Sequence, residues 1–270
     1  MKIHICLASD DSFLQHLSVV IASVIKNSSP KNGFVFYILN DNISQKNKKK
    51  LSKMENSGCR IKYIQVNKEK FKNCPLLHKW ISLVTYYRLS MPSLLPLDID
   101  KVIYLDSDLV VLDDIEKLFN IDIEDYYAAG VQDLRCLPNI NSTKIETHVN
   151  AGVMLFNLKK MREDKIEEQF FDYINKNYTN VSFFWEQDQT IINKVMENKI
   201  KNLNFKWNVQ CFKLSPEFQT PESCKALNTP SIIHFRGSQK PWVDNKMPRA
   251  QWYFKYLQET PFKEQSNKFI

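Results

Sequence analysis

Two aspartates one residue apart, Asp106 and Asp108, interrupt the apolar run KVIYLDSDLVVL between Lys101 and Leu112. Side chains of an extended chain alternate faces, so residues two apart point the same way. Both carboxylates can therefore reach one small volume where an apolar strand ends. A hard divalent cation takes oxygen ligands of this kind, usually together with oxygens of a bound phosphate. The pattern predicts a metal-held phosphate ester at a strand end. Asp-x-Asp also arises in caps and turns; the KVIYL in front of it is what favours the metal.

A second group lies far along the chain. His234 ends SIIHF and opens HFRGSQKPW, which runs to Trp242. A neutral imidazole can be a third metal ligand. Gly237 lets backbone approach a ligand closely, and Lys240 can neutralise a phosphate. Asn150, Ala151 and Gly152 open another apolar run. The small residues leave room for a polar ligand whose hydroxyls the Asn amide can bond, although a turn would use the same residues. Asp188 and Gln189 in WEQDQTIIN read either as site residues or as a helix-capping Asp and its neighbour. Arg88 in TYYRL reads as a site residue or a surface ion pair, and Asp133 after YAAGVQ as a site residue or a loop carboxylate.

The elements that must position these residues alternate in the first half. Residues 3–8, 34–39, 60–66 and 101–105 read as strands. Between them, Leu14, Leu17, Val20, Ile21, Val24 and Ile25 recur at helical spacing. Ser44 can cap a helix running to about Asn56, and residues 80–91 read as a helix stopped by Pro92. Such alternation predicts a mostly parallel sheet covered on both faces, with ligands at the carboxyl ends of its strands. Asp10 and Asp106 fall at two such ends. In the second half, 126–131, 149–156 and 231–235 read as strands. Residues 159–177 and 188–198 read as helices, and 205–230, with three prolines, as loop-rich.

The chain has 270 residues and is 43% hydrophobic, enough for a sizeable core in one large α/β domain or two small ones. Only five glycines are present, and neither G-x-G-x-x-G nor a Walker A pattern occurs, which leaves the common dinucleotide and P-loop readings unsupported. The six cysteines form no C-x-x-C and read as reduced thiols of a cytoplasmic protein. Acidic residues come too early for a signal peptide, and no apolar run is long enough to span a bilayer. The net charge of +7 fits nucleic acid, an anionic membrane or an anionic small substrate. No aromatic-basic platform or recognition motif supports nucleic acid as a partner. The lysines between Lys46 and Lys53 read as a solvated helix face.

Together these segments resemble glycosyltransferase family 8, the retaining nucleotide-sugar transferases, and within it the bacterial lipopolysaccharide α-galactosyl- and α-glucosyltransferases. The likeness covers roughly residues 1–242. It rests on ASDD from Ala8, TYYRL from Thr85, YLDSD from Tyr104, NAGVMLFNL from Asn150, DQ at Asp188, and HFRGSQKPW. It implies an α/β GT-A fold: a Rossmann-like, mostly parallel central sheet flanked by helices, in a single merged domain over 1–245. Residues 1–110 would be its nucleotide-binding half and 111–245 its donor-sugar and acceptor half.

The resemblance also implies roles. Ala8 and Asp10 would contact uracil and ribose. Ser12 stands where the galactosyltransferase pattern has Asn near the ribose. Asp106, Asp108 and His234 would hold Mn²⁺, with Mg²⁺ an alternative, and Ser107 between the carboxylates belongs to the same donor site. Gly237 and Lys240 would bind phosphate oxygens. Arg88, Asp133, Asn150, Ala151, Asp188 and Gln189 would surround the donor sugar, with Gln189, Asp188 and Asp133 at the reacting centre.

The implied reaction moves galactose or glucose from a UDP-hexose to a hydroxyl of a bacterial surface glycan, such as the lipopolysaccharide or lipooligosaccharide core, giving an α-linkage. A self-glucosylating, glycogenin-like transferase and a UDP-sugar hydrolase are the competing readings. Gln189 would face the anomeric carbon. An amide is a poor nucleophile, so attack by the acceptor on the face that UDP leaves is favoured over a covalent intermediate. The segments 74–80 and 134–148 resemble the family's variable loops near the acceptor; there His78 would bond a hydroxyl, and Trp80 would either stack on a sugar ring or pack in the core. The tail 246–270, with Trp252, Tyr253, Phe254 and Tyr256 among lysines, either contacts the anionic cytoplasmic face of the inner membrane or packs on the domain.

Overall fold

The computed structural model describes residues 2–29, 31–77, 82–133, 148–180, 184, 186–210, 221–238 and 240–264. His78, Trp80, Cys136, Cys211, the segment 134–147 and the last six residues of the tail therefore lie outside the described residues.

The strands are β1 (Lys2–Asp10), β2 (Gly33–Asp41), β3 (Cys59–Gln65), β4 (Lys101–Leu105), β5 (Leu109–Val111), β6 (Ala128–Gln132), β7 (Val149–Asn157), β8 (Ile200–Asn202), β9 (Val209–Gln210) and β10 (Ile232–His234). Seven of them form the central sheet, in the order β3-β2-β1-β4-β7-β6-β8. β7 alone runs antiparallel to its neighbours, so the sheet is mostly parallel. A second sheet joins β5, β10 and β9 in that order. The α-helices are α1 (Leu14–Asn27), α2 (Gln45–Leu51), α3 (Met91–Leu94), α4 (Glu116–Phe119), α5 (Leu158–Glu163), α6 (Ile166–Asn177), α7 (Asp188–Val195), α8 (Pro221–Asn228) and α9 (Ala250–Leu257). A large mixed sheet flanked by helices, with a small sheet beside it, is the GT-A architecture.

The strands read as unbroken apolar runs because both faces of the sheet are covered. Along β1, Ile3, Ile5 and Leu7 enter one core, shared with α1, the small sheet and α9. Cys6 and Ala8 face the opposite core, with Tyr104 and the helices α5, α6 and α7. The two-residue period in side-chain direction thus divides one strand between two cores.

Four expectations from the sequence change. Residues 83–90 form 3-10 turns, not an α-helix. Three residues per turn align positions i and i+3, so Thr85 stands directly beside Arg88. The helix expected over 159–177 breaks at Lys165, whose φ of 51° separates α5 from α6. The helix capped by Ser44 is α2, and a 3-10 turn carries it to Met54. The region expected to be loop-rich contains β9 and α8, whose first residue is the proline that favours a helix start.

The C-terminal segment packs on the domain along α9. Tyr253, Tyr256 and Leu257 are buried in the core beside α1, and Phe262 follows them. The α2 lysines are not all free in solvent: Lys48 lies over the Tyr63 ring and Lys50 over the Phe262 ring. Cys6, Cys59, Cys74 and Cys224 are free thiols. No helix among the described residues is long and apolar enough to cross a membrane.

Candidate active site

A cleft of about 660 Å³ opens where the carboxyl ends of β1 and β4 meet the end of β10. Its walls include Ala8, Asp10, Arg88, Asp106, Ser107, Asp108, Asn150, Ala151, Asp188, Gln189, His234, Gly237 and Lys240. Segments from the whole length of the chain thus converge on one volume. Of the residues singled out from sequence, Ser12 and Asp133 are off the wall. Asp10 Oδ1 accepts from the backbone and hydroxyl of Ser12 at 2.9 and 2.7 Å, and from Phe13 N–H at 3.0 Å, which shapes the turn into α1. Asp133 is fully buried and is reached through Gln189 and Arg236.

Asp106 leaves β4 with its N–H bonded to the Gly152 carbonyl at 2.8 Å, which extends the pairing with β7 by one residue. Ser107 turns toward β1, and its hydroxyl donates to the Ala8 carbonyl at 3.0 Å. Asp108 then comes back beside the first carboxylate, as alternation requires. His234 ends β10, which pairs antiparallel with β5, so it lies opposite Leu109 and next to the aspartates. Its Nε2 is 3.2 Å from Asp108 Oδ1 and 3.8 Å from Asp106 Oδ2.

Asp106, Asp108 and His234 each offer a ligand atom, all within 4.8 Å of one another. Two carboxylate oxygens and one imidazole nitrogen suit Mn²⁺ or Mg²⁺ better than a soft metal. Gly152 lies beneath them. A Cβ there would stand 2.3 Å from His234 Cε1 and 2.7 Å from Asp106 Oδ2, so only glycine leaves the ligands their places. The residues fit a divalent cation. Burial pushes the Asp108 carboxyl up, but the Lys240 ammonium beside it pulls the other way most strongly, and Asp108 lies below the usual carboxylate range. Lys240 pairs with Asp108 and donates to the Phe235 carbonyl at 2.7 Å. Gly237 has a φ of 85°, and a Cβ there would meet nothing within 4 Å. Backbone conformation, not space, calls for glycine there.

Arg88 is not a surface residue. It is 4% exposed and lies 4.2 Å over the Tyr104 ring. Its guanidinium reaches Asp106 Oδ1 at 2.8 Å and Asp188 Oδ2 at 2.9 Å, and it also donates to the Ala151 carbonyl. Asp188 opens α7, yet its carboxylate goes to Arg88 and to the Thr85 hydroxyl, the latter at 2.7 Å. Burial pushes Asp188 up to about 6, against the pull of Arg88 and Thr85. Gln189 Oε1 accepts from Ala151 N–H at 3.1 Å and Asn150 Nδ2 at 2.9 Å, while Nε2 donates to Asp133 Oδ2 at 3.0 Å.

Several residues of this site were not singled out from sequence. Arg236 joins Asp133 to Glu186, and His148 bonds Glu186 at 2.7 Å. Asn208 lies between Asn150 and His234. Arg236 in HFRGSQKPW and Glu186 in WEQDQTIIN stand next to residues that were singled out and could have been found there; Asn208 carries no local pattern.

The fold and the cleft at its strand ends are those of a GT-A glycosyltransferase. Residues 4–246 match the family described as Glycosyl transferase family 8. The chain belongs to glycosyl transferase family 8, where it is related to lipopolysaccharide glucosyl- and galactosyltransferases. It is 28% identical over 280 residues to General stress protein A of Bacillus subtilis (strain 168), covering 99% of this chain and 97% of that one. It is 26% identical over 275 residues to the lipopolysaccharide 1,2-glucosyltransferase of Escherichia coli (strain K12), covering 98% and 80%. Among solved structures it is similar to the galactosyltransferase LgtC in complex with donor and acceptor sugar analogs. The TM-score is 0.84 at 29% identity, with 98% of this chain and 100% of that chain covered.

Proposed function

We propose that the chain transfers galactose or glucose from a UDP-hexose to a hydroxyl of a bacterial surface glycan, such as a lipopolysaccharide core, with retention and in a cation-dependent reaction. The observation that carries this reading is the convergence of Asp106, Asp108, His234 and Lys240 beside the buried cluster of Arg88, Asp188 and Gln189.

Asp106, Asp108 and His234 would hold the cation. A bound divalent cation supplies Lewis-acid stabilisation of charge on the leaving diphosphate. Lys240 adds a fixed positive charge, and Gly237 lets a phosphate oxygen approach backbone. Ala8 and Asp10, with Ser12 behind Asp10, would face the nucleoside in the half of the molecule built on residues 1–110. Arg88, Asp188, Asn150, Ala151 and Gln189 would enclose the sugar, with Asp133 bracing Gln189. The Gln189 oxygen already accepts two hydrogen bonds, which lowers its nucleophilicity further. This favours attack by the acceptor on the face that UDP leaves, with the UDP phosphate taking the acceptor's proton.

The +7 charge suits work at the anionic cytoplasmic face of the inner membrane. Binding to anionic vesicles that weakens with salt is the expected result. Equal binding to neutral vesicles at high salt would remove the electrostatic contact.

The reaction is tested by UDP release from UDP-galactose, UDP-glucose, UDP-N-acetylglucosamine and UDP-N-acetylgalactosamine, each with Mn²⁺ and with EDTA. Release from a hexose donor that EDTA stops is expected, with transfer appearing on addition of a lipopolysaccharide core. Undiminished release in EDTA would overturn the cation role. Sugar found on the protein itself would point to self-glucosylation, and release that no acceptor accelerates to hydrolysis.

A further inference from the structure

Three side-chain amides link the sugar side of the cleft to His234, and the backbone sets their direction. Gly152 N–H donates to Asn150 Oδ1 at 3.1 Å, and Ala151 N–H donates to Gln189 Oε1 at 3.1 Å. A backbone N–H can only donate, so both side chains must turn their oxygen that way. Asn150 then presents Nδ2 to Gln189 Oε1 at 2.9 Å. Its oxygen takes a second bond, from Asn208 Nδ2 at 2.8 Å. Asn208 is thereby left with its oxygen toward His234 Nδ1, 3.0 Å away. An amide oxygen can only accept, so Nδ1 must carry hydrogen. In the neutral ring the lone pair then sits on Nε2, the nitrogen that faces Asp106 and Asp108.

The direction matters because the carboxylates pull the other way. With Asp108 Oδ1 3.2 Å from Nε2, they would draw the ring's hydrogen to Nε2 and close that position to a cation. Asn150, Gln189, Asn208 and His234 are all 5% exposed or less, so water has little room to replace a missing member.

We propose that Asn208 is a positioning residue: its oxygen holds His234 with hydrogen on Nδ1 and Nε2 free for a divalent cation, and its N–H ties that imidazole to Asn150 and Gln189. The proposal rests on the reading of Asp106, Asp108 and His234 as the cation ligands. Partners that orient a metal-binding histidine are worth about 10–100-fold in metal affinity.

The two ends of Asn208 can be separated. Asn208→Asp keeps an oxygen toward Nδ1 but cannot donate to Asn150, whereas Asn208→Leu loses both. The test is calorimetric titration of Mn²⁺ into the UDP-loaded wild type and both variants, with His234→Ala as control and thermal unfolding as the check on fold. Mn²⁺ affinity is expected to fall about 10–100-fold in Asn208→Leu. In Asn208→Asp it should stay near wild type while sugar transfer slows, because the link to the sugar side is cut. Wild-type affinity in a folded Asn208→Leu would overturn the proposal. So would an Asn208→Asp variant that binds Mn²⁺ as weakly as His234→Ala, and this arm stands even if the leucine variant does not fold. Absence of Mn²⁺ binding by the wild type would overturn the ligand reading and the proposal with it, an outcome distinct from loss in the variants alone.

Discussion

Arg88 shows how much one side chain can organise. A buried ion pair that loses one partner typically costs about 3–5 kcal/mol, and this guanidinium has two carboxylates, two carbonyls and a ring around it. It joins Asp106, beside Asp108 and His234, to Asp188 at the start of α7, so a change at either end is felt at the other. Asp188 gives this a pH signature. Burial raises its carboxyl from 3.8 to about 6. The unfolded chain ionises first, so the contribution of this group to stability is complete below pH 3.8 and is lost as pH rises through about 6. Urea unfolding over this window should show that loss in the wild type and not in Asp188→Asn. Activity should run the opposite way, because ionised Asp188 is the form that pairs with Arg88. We expect kcat/KM to fall as pH drops through about 6; a flat profile there would remove Asp188 from the working site.

At the scale of elements, α9 closes the molecule. Tyr253, Tyr256 and Leu257 are each 1% exposed or less. At about 1.5–3 kcal/mol per buried side chain, they carry a large share of a typical domain stability of about 5–15 kcal/mol. His16 on α1 is the centre of this contact. Its ring stacks on Trp242 at 3.6 Å between centroids, and Nδ1 lies 2.6 Å from the Tyr253 hydroxyl. Burial holds it neutral, with its pKa down from 6.5 to about 3. A depressed histidine contributes stability above pH 6.5 that is lost as pH falls toward about 3. Amide exchange in α9, corrected for its intrinsic pH dependence, should therefore show weaker protection at mildly acidic pH than at neutral pH. The weakening should disappear in His16→Gln, and its persistence there would assign the effect to another group.

Across the whole molecule, the site is made where two sheets meet. β7 of the large sheet brings Gly152, β4 leads into Asp106, and β10 of the small sheet brings His234. The missing Cβ of Gly152 is what lets the two sheets share this space. Gly152→Ala should therefore displace His234 and Asp106 and abolish Mn²⁺ binding by calorimetry, while both cores, which it does not enter, keep the chain folded by circular dichroism. Retained Mn²⁺ affinity in that variant would show that the ligands tolerate the methyl group and that the glycine is not what spaces them.

The sequence alone determined the alternating first half, the mostly parallel sheet and the pair of aspartates at a strand end. These follow from local rules: apolar runs, the two-residue period and the chemistry of neighbouring carboxylates. It also determined that His234, Gly237 and Lys240 belong together, because they lie within one short segment. Elements of two or three residues such as β5, β8 and β9 were not legible, since periodicity needs more residues than they have. The break at Lys165 and the 3-10 turns around Arg88 were hidden for a different reason: tertiary packing, not local preference, selects them. Only the tertiary structure decided that Arg88 is buried between Asp106 and Asp188, that α9 belongs to the core, and that Asn208 stands behind His234. Each of these is a contact between residues far apart in the chain, and hydrogen-bond direction and burial exist only once those residues share a volume.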